Sequence, residues 1–333
     1  MTDKPRVLSG VQPTGNLHLG NYLGALVQWR ELQDAYDTFF CVVDLHALTV
    51  PENVDAATLR AKTLEVAALY IAAGIDPSRS TIFVQSEVTA HAELSWILQC
   101  CTPLGWLYRM TQFKSKSEGK DAIGTGLLCY PALQAADILL YDADLVPVGA
   151  DQKQHIELTR DIAERFNHMF GQTFHLPKPM IGGTGARIMG LDTPEQKMSK
   201  SVASKGHAIF LLDTPNKVKK TIMRAVTDTA CEYRPDQASP GVVNLLNIYA
   251  TITGETAADV GARYEGRGYG YLKKDLVEVV ESVLGPLRAR YEELTSDPTN
   301  LHALLDTGAD RAREVAHATL DRAKANAGLG RPR

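Results

Sequence analysis

Over the first half of the chain, short runs of β-branched and aromatic residues alternate with longer stretches whose apolar residues recur at helical spacing. That alternation predicts an α/β domain with a parallel sheet. Strands are expected at residues 6–9, 38–43, 81–85 and 145–148, and helices at 21–35, 54–73, 127–141 (despite Pro131) and 151–170. Two further helices follow the third strand, the second opening at Thr102-Pro103 as an N-cap followed by proline at the first helical position. From about Thr214 the strand signals stop, and 215–226, 242–252, 271–294 and 307–327 read as helices, a C-terminal all-helical domain. The change of pattern falls in 181–206, a Gly-rich polar stretch too irregular for either half. No internal repeat or low-complexity tract interrupts it.

At 333 residues the chain has the length of about two domains. Hydrophobic residues make up 44% and charged residues 22%, a globular composition that excludes a disordered chain. The formal net charge is −4, so a nucleic-acid partner has to be met by local basic patches and not by an overall positive field. The longest apolar run, 66–75, is about half of the ~20 residues a bilayer span needs, and no membrane partner is expected. Residues 1–6 are polar and lack an apolar or Arg/Ser-rich leader, so the start reads as mature protein. Five cysteines (Cys41, Cys100, Cys101, Cys129 and Cys231) form no CxxC pair and sit mostly in apolar context. They read as buried thiols of a reducing cytoplasm, with no protein-held metal.

Chemistry concentrates in two places. Ser9-Gly10-Val11-Gln12-Pro13-Thr14-Gly15-Asn16-Leu17-His18-Leu19-Gly20-Asn21 runs from the first strand into the first helix, the junction where open α/β sheets bind ligands. A helix start offers backbone N–H groups and partial positive charge to phosphate, and His18 and Asn21 can add hydrogen-bonding groups. A plain turn with an asparagine N-cap accounts for the same letters. The second stretch is Lys197-Met198-Ser199-Lys200-Ser201, whose ammonium and hydroxyl groups suit charge appearing on a departing pyrophosphate. Alone it reads equally as solvated surface; the two motifs together are far more specific than either. No Walker A motif and no complete G-x-G-x-x-G is present, which disfavours P-loop and dinucleotide enzymes.

With His-Leu-Gly-Asn at 18–21 and Lys-Met-Ser-Lys-Ser at 197–201, the chain resembles class I aminoacyl-tRNA synthetases. Met110-Thr111-Gln112-Phe113-Lys114, Tyr130-Pro131 with Ala135-Ala136-Asp137, Val146-Pro147-Val148-Gly149-Ala150-Asp151-Gln152 and Gly185-Ala186-Arg187-Ile188-Met189 narrow the resemblance to the bacterial tryptophanyl group. That resemblance implies ATP contacts at Gln12, Pro13, Thr14, Gly20, Asn21, Gly149, Ala150, Asp151, Ile188, Lys197, Met198, Ser199, Lys200 and Ser201. It implies a tryptophan pocket built from Asp137, Tyr130, Gln134 and Gln12, with Asp137 accepting the indole N–H; His46, after the second strand, falls where pocket loops form and reads as a further pocket residue or as a plain loop histidine. His18, Asn21, Lys197 and Lys200 would carry catalysis, with Mg²⁺ accompanying ATP. It also implies tRNA(Trp) as partner, a homodimer, and a division into 1–190 (a Rossmann-like parallel-sheet nucleotide-binding domain carrying catalysis), 191–206 (loop) and 207–333 (the helical tRNA-binding domain). Leu8, Gln134 and Ala150 depart from the family's frequent phenylalanine, methionine and glutamate.

Three alternatives stay open from the residues. Tyr130-Pro131, Gln134 and Asp137 also resemble the pocket helix of the tyrosyl enzymes, although the early position of His18 and the 110–114 and 146–152 strings favour tryptophan. A nucleotidyltransferase of the H-x-G-H superfamily would share the chemistry without an RNA substrate, and a synthetase-like RNA-binding paralogue would share only the fold. Of the remaining polar residues, His155 reads as a catalytic group or a satisfied helix histidine. Arg109, Lys114, Lys116 and Lys120 read as a phosphate- or RNA-facing set or plain surface. Lys217, Lys219, Lys220 and Arg224 form a basic helix with the same two readings.

Overall fold

Among the described residues of the computed structural model, five strands form one sheet with every neighbouring pair parallel: β1 (Arg6–Val11), β2 (Asp37–Val42), β3 (Ser80–Val84), β4 (Leu145–Val148) and β5 (Lys178–Ile181), in the order β3-β2-β1-β4-β5. The structure describes residues 4–119, 122–149, 152–181, 187–199, 204 and 206–331; Lys120, Ala150, Asp151, Lys200 and Ser201 lie outside them. The helices of the first half are α1 (Leu19–Asn21), α2 (Val27–Leu32), α3 (Ala56–Ala72), α4 (Ala90–Cys101), α5 (Leu104–Tyr108), α6 (Thr111–Ser117), α7 (Thr125–Leu139) and α8 (Lys153–Phe170). A π-helical turn, Tyr22–Leu26, joins α1 to α2. After β5 come α9 (Pro215–Met223), α10 (Pro240–Thr253), α11 (Ala257–Ala262), α12 (Tyr269–Ser296) and α13 (Pro298–Asn326).

Parallel strands covered on both faces read as continuous apolar runs, and β2 is buried at every position. Its side chains alternate between two cores. Phe39 and Cys41 pack with residues of α4, α7 and α8, whereas Phe40 and Val42 pack with α2, α3 and the C-terminal helices. Trp29 of α2 stacks on Phe40 with ring centroids 4.7 Å apart.

The last helix does not stay with the other C-terminal helices. Ala309, Ala312, Ala316, Leu320 and Ala323 of α13 share the core that holds Phe39 and Phe83. Arg311 pairs with Asp37, and Arg322 with Asp142. The approach to the sheet is as close as a backbone allows: a Cβ on Gly308 would lie 1.8 Å from the Ile82 carbonyl oxygen of β3. Gly308→Ala must therefore push α13 off the strand. A loss of about 2–3 kcal/mol is expected, read as a lower urea midpoint at unchanged slope. An unchanged midpoint would mean that α13 slides along the sheet without cost.

Several expected boundaries move for identifiable reasons. The first helix begins at Leu19 and not at Asn21, because the His18 side chain caps it. Pro103 is the cap of α5 and not its first helical residue, because Thr102 Oγ1 donates back to the Leu98 carbonyl at 2.7 Å and stays with α4. β5 has no counterpart among the expected strands; it has four residues, is half exposed and contains Pro179, which an edge position tolerates. α11 was likewise not expected. α13 starts at Pro298, capped by Asp297, well before the expected residue 307. Cys41 and Cys101 are buried as expected, but Cys100 and Cys231 are exposed, because they occupy a solvent-facing helix end and a loop.

Candidate active site

The order β3-β2-β1-β4-β5 reverses direction between β1 and β4, and parallel strands send the loops that follow them to one edge of the sheet. Gln12 follows β1, His46 follows β2, Gln85 follows β3 and Gly149 follows β4, so these residues share that edge. Ser9 Oγ donates to the Pro147 carbonyl at 3.3 Å, fastening the two strands at the switch point.

The helix start beside it is built by a reciprocal cap. His18 Nδ1 accepts the Asn21 backbone N–H at 3.3 Å, and Asn21 Oδ1 accepts the His18 N–H at 3.1 Å. An accepting Nδ1 puts the ring proton on Nε2. Neither residue therefore offers its whole side chain to phosphate: the cap engages Nδ1 and Oδ1, and the imidazole is buried. Gln12 and Thr14 are half-buried and Pro13 buried in the loop leading to this cap.

The segment carrying Lys197 returns to the same helix. Leu19 N–H donates to the Ile209 carbonyl at 2.8 Å and Leu211 N–H to the Leu17 carbonyl at 2.9 Å, so the chain leaving the loop pairs antiparallel with 17–19. On the entry side, Met198 N–H donates to the Ile188 carbonyl at 3.0 Å, and Met189 and Lys197 form a bridge. Ile188 also lies against Gly20: a Cβ there would come within 3.6 Å of Ile188 Cβ and 3.1 Å of His18 Nδ1. Met198 is buried and anchors the loop, Ser199 is half-buried, and Lys197 is exposed. Two motifs far apart in sequence thus meet at one helix start.

On the face of α7 turned to the sheet edge, Tyr130, Gln134 and Asp137 recur at helical spacing. Asp137 is buried and accepts three hydrogen bonds. Oδ1 receives Gln85 Nε2 at 2.7 Å and His91 Nδ1 at 2.6 Å, while Oδ2 receives His46 Nε2 at 2.8 Å. Burial alone would raise this carboxyl, but the charge and hydrogen bonds of His46 and His91 hold it well below the usual range. His91 Nε2 meets the Tyr141 hydroxyl at 2.9 Å, and Leu45 N–H donates to Gln85 Oε1, so both partners of Oδ1 are themselves held. Tyr130 has its hydroxyl 2.7 Å from His155 Nε2 and its pKa pushed up to about 12 by burial. This contact engages Nε2 of His155, which is buried on α8, so the structure ties the histidine to Tyr130. Lys116 brings its ammonium to 6.0 Å from the Tyr130 ring centroid. Lys217 pairs instead with Asp213 and lies over Phe210, while Lys219, Lys220 and Arg224 are exposed.

A family model described as tRNA synthetases class I (W and Y) matches residues 1–285. The chain belongs to this family. It is 55% identical to the tryptophan--tRNA ligase of Leifsonia xyli subsp. xyli, an alignment covering 100% of this chain and 99% of that one. Among solved structures, tryptophanyl-tRNA synthetase from Mycoplasma pneumoniae superposes with a TM-score of 0.89 at 36% identity, over 98% of both chains. The Campylobacter jejuni enzyme, complexed with ADP and tryptophan, gives 0.84 at 37% identity, over 97% of this chain and 100% of that one. In this class I synthetase, sequence reasoning missed Gln85 and His91, the two groups that hold Asp137 Oδ1. A signal existed for the first, since a glutamine directly after a buried strand sits at the ligand edge of the sheet.

Proposed function

We propose that this chain is a tryptophan–tRNA ligase: it joins L-tryptophan to ATP as tryptophanyl-adenylate, releasing pyrophosphate, and passes tryptophan to the 3′ end of tRNA(Trp). The observation that carries the amino-acid assignment is full-length kinship at 55% identity to a tryptophan--tRNA ligase. Asp137 gives it a physical basis: an ionised, buried carboxylate suits an indole N–H.

In the first step a tryptophan carboxylate oxygen attacks the α-phosphorus, a new P–O bond forms and the bond to the bridging oxygen of pyrophosphate breaks. The attacking oxygen is already anionic, so no general base is needed. Charge growing on the departing pyrophosphate is met by Lys197, Lys200, the His18 Nε2–H, Asn21 and the Mg²⁺ that ATP brings. Gln12, Pro13, Thr14, Gly20, Gly149, Ala150, Asp151, Ile188, Met198, Ser199 and Ser201 line the nucleotide. Tyr130, Gln134, His46 and Gln12 complete the tryptophan pocket around Asp137. In the second step a terminal ribose hydroxyl of tRNA attacks the acyl carbon and AMP leaves.

The division into 1–190, 191–206 and 207–333 assigns tRNA binding to the last part, with exposed Lys219, Lys220 and Arg224 as its phosphate contacts. Exposed Trp96, Leu104 and Tyr108 on α4 and α5 support a homodimer, since solvent rarely faces such a set. Among the described residues no helix is long and apolar enough to cross a membrane, consistent with a cytoplasmic enzyme.

The test is amino-acid-dependent exchange of pyrophosphate into ATP. Exchange is expected with tryptophan and not with tyrosine, followed by charging of tRNA(Trp). Equal or greater exchange with tyrosine would give the chain to the tyrosyl branch, the reading Gln134 favours. Exchange seen only with a substrate that is not an amino acid, without tRNA charging, would point to a nucleotidyltransferase.

A further inference from the structure

Between the two motifs lies a buried imidazole that neither motif includes. His207 is 1% exposed, and each of its ring nitrogens faces an oxygen. Nδ1 lies 2.7 Å from Asp192 Oδ1 and Nε2 lies 3.2 Å from the backbone carbonyl of Lys197. A backbone carbonyl only accepts, so the contact with Lys197 is made by an Nε2–H of the ring. Its own backbone is used as well: Leu191 N–H donates to the His207 carbonyl at 3.0 Å. Two residues further on, the Ile209 carbonyl receives the N–H of Leu19, the first residue of α1. One residue thus touches the entry side of the Lys197 loop, its exit side and, through a dipeptide, the capped helix start.

The ring is seated against a glycine. A Cβ on Gly190 would lie 2.2 Å from His207 Cε1 and 2.4 Å from Nδ1, and all three of its nearest atoms belong to the imidazole. Gly190 has no left-handed backbone to explain it, so the space for the ring is what the glycine provides. The same segment is gripped from the other side by Asn244 of α10, which is buried, accepts the Met189 N–H at 2.9 Å and donates to the Met189 carbonyl at 2.9 Å. Asp192 is the acidic partner: burial would raise its carboxyl, but hydrogen bonds from Ser204 and His207 bring it below its ordinary value.

We propose that His207 is a positioning residue for ATP activation, holding the Lys197 backbone by its carbonyl so that the Lys197 ammonium stands at the departing pyrophosphate. This rests on the synthetase reading above. Lys197 follows Gln196 and precedes the buried anchor Met198, so its side-chain direction depends on where its carbonyl is held. Tryptophan is recognised at Asp137, which Gln85, His91 and His46 hold, whereas the His207 ring bonds Asp192 and the Lys197 carbonyl. Loss of the imidazole therefore falls on the rate of activation and not on tryptophan binding. Asp192 is 26% exposed at its side chain and water can solvate it when the ring is gone, so the fold tolerates the change.

The experiment is a kinetic double-mutant cycle on the full chain, reading tryptophan-dependent pyrophosphate exchange together with equilibrium dialysis of tryptophan. His207→Ala is expected to lower kcat at least tenfold while the tryptophan dissociation constant stays within twofold. Gly190→Ala, which displaces the ring without removing it, is expected to lower kcat in the same way. In the double variant the added methyl meets no ring, so the second substitution should add nothing to the loss. Additive losses, a kcat unchanged in His207→Ala, or a parallel loss of tryptophan affinity each overturn the positioning role. Absence of tryptophan-dependent exchange in the unaltered protein overturns the underlying synthetase reading itself, which separates the two failures.

Discussion

Lys197→Ala lowers kcat for tryptophan-dependent pyrophosphate exchange by about 10²–10³-fold, the usual cost of removing one preorganised group aimed at transition-state charge, and leaves the KM for tryptophan within twofold. The expectation follows from how the loop is held. Met198 is buried and its N–H is fixed to the Ile188 carbonyl, so the neighbouring lysine is presented from a defined backbone while its side chain stays exposed. Before reaction, the triphosphate charge is shared along ATP; as the α–β bridge breaks, it collects on pyrophosphate. An ammonium placed there strengthens its interaction only as the bond breaks, and such a contribution appears in kcat. Lys200→Ala should behave alike. A loss confined to the KM for tryptophan in steady-state exchange would show that the lysines bind the amino acid and do not stabilise departing charge.

The parts of this architecture legible in sequence were those set by local spacing. Apolar runs separated by helical periodicity marked four of the five strands, and β4 ran from Leu145 to Val148 as expected. The short edge strand β5 escaped because Lys178 and Pro179 leave it no apolar run. The start of α1 moved because an imidazole occupies the cap, a place sequence rules give to serine, threonine, aspartate or asparagine. α13 begins well before residue 307: Asp297 caps it, Pro298 opens it, and Leu301 and Leu305 of this added stretch are buried with the other C-terminal helices, whereas the expected part, built from alanines and Gly308, has the small size that contact with β3 demands.

For the site, the two motifs and Asp137 were legible, but their supports were not. Gln85 and His91 reach Asp137 from separate elements, and His207 reaches Lys197 across a loop; no spacing along the chain announces either arrangement. Such contacts come from tertiary closure, and they decide how a motif residue behaves.

Asp137→Asn illustrates the difference. On the sequence alone it is a near-isosteric change that removes one charge and keeps a carbonyl oxygen for the indole N–H. In the structure every oxygen of this carboxylate already accepts: two donors converge on Oδ1, and His46 faces Oδ2. An amide must turn its NH₂ toward one of these sets. Placed at Oδ1 it confronts Gln85 and His91 together, so it goes to the Oδ2 position, where His46 can shift its ring proton and accept. The indole N–H then meets a donor where it had an acceptor. The charge-assisted bond is lost, worth roughly 1.5–3 kcal/mol, and a buried donor is left facing another. kcat/KM for tryptophan should fall about a hundredfold, more than loss of charge alone would produce. Phenylalanine has no donor to misplace and no longer leaves a buried carboxylate unmatched, so its relative acceptance should rise and the ratio of tryptophan to phenylalanine shrink. Both amino acids are measured on one preparation, with circular dichroism confirming the fold. A ratio that does not change would move indole recognition from Asp137 to Gln134 or His46, the other polar residues of that pocket.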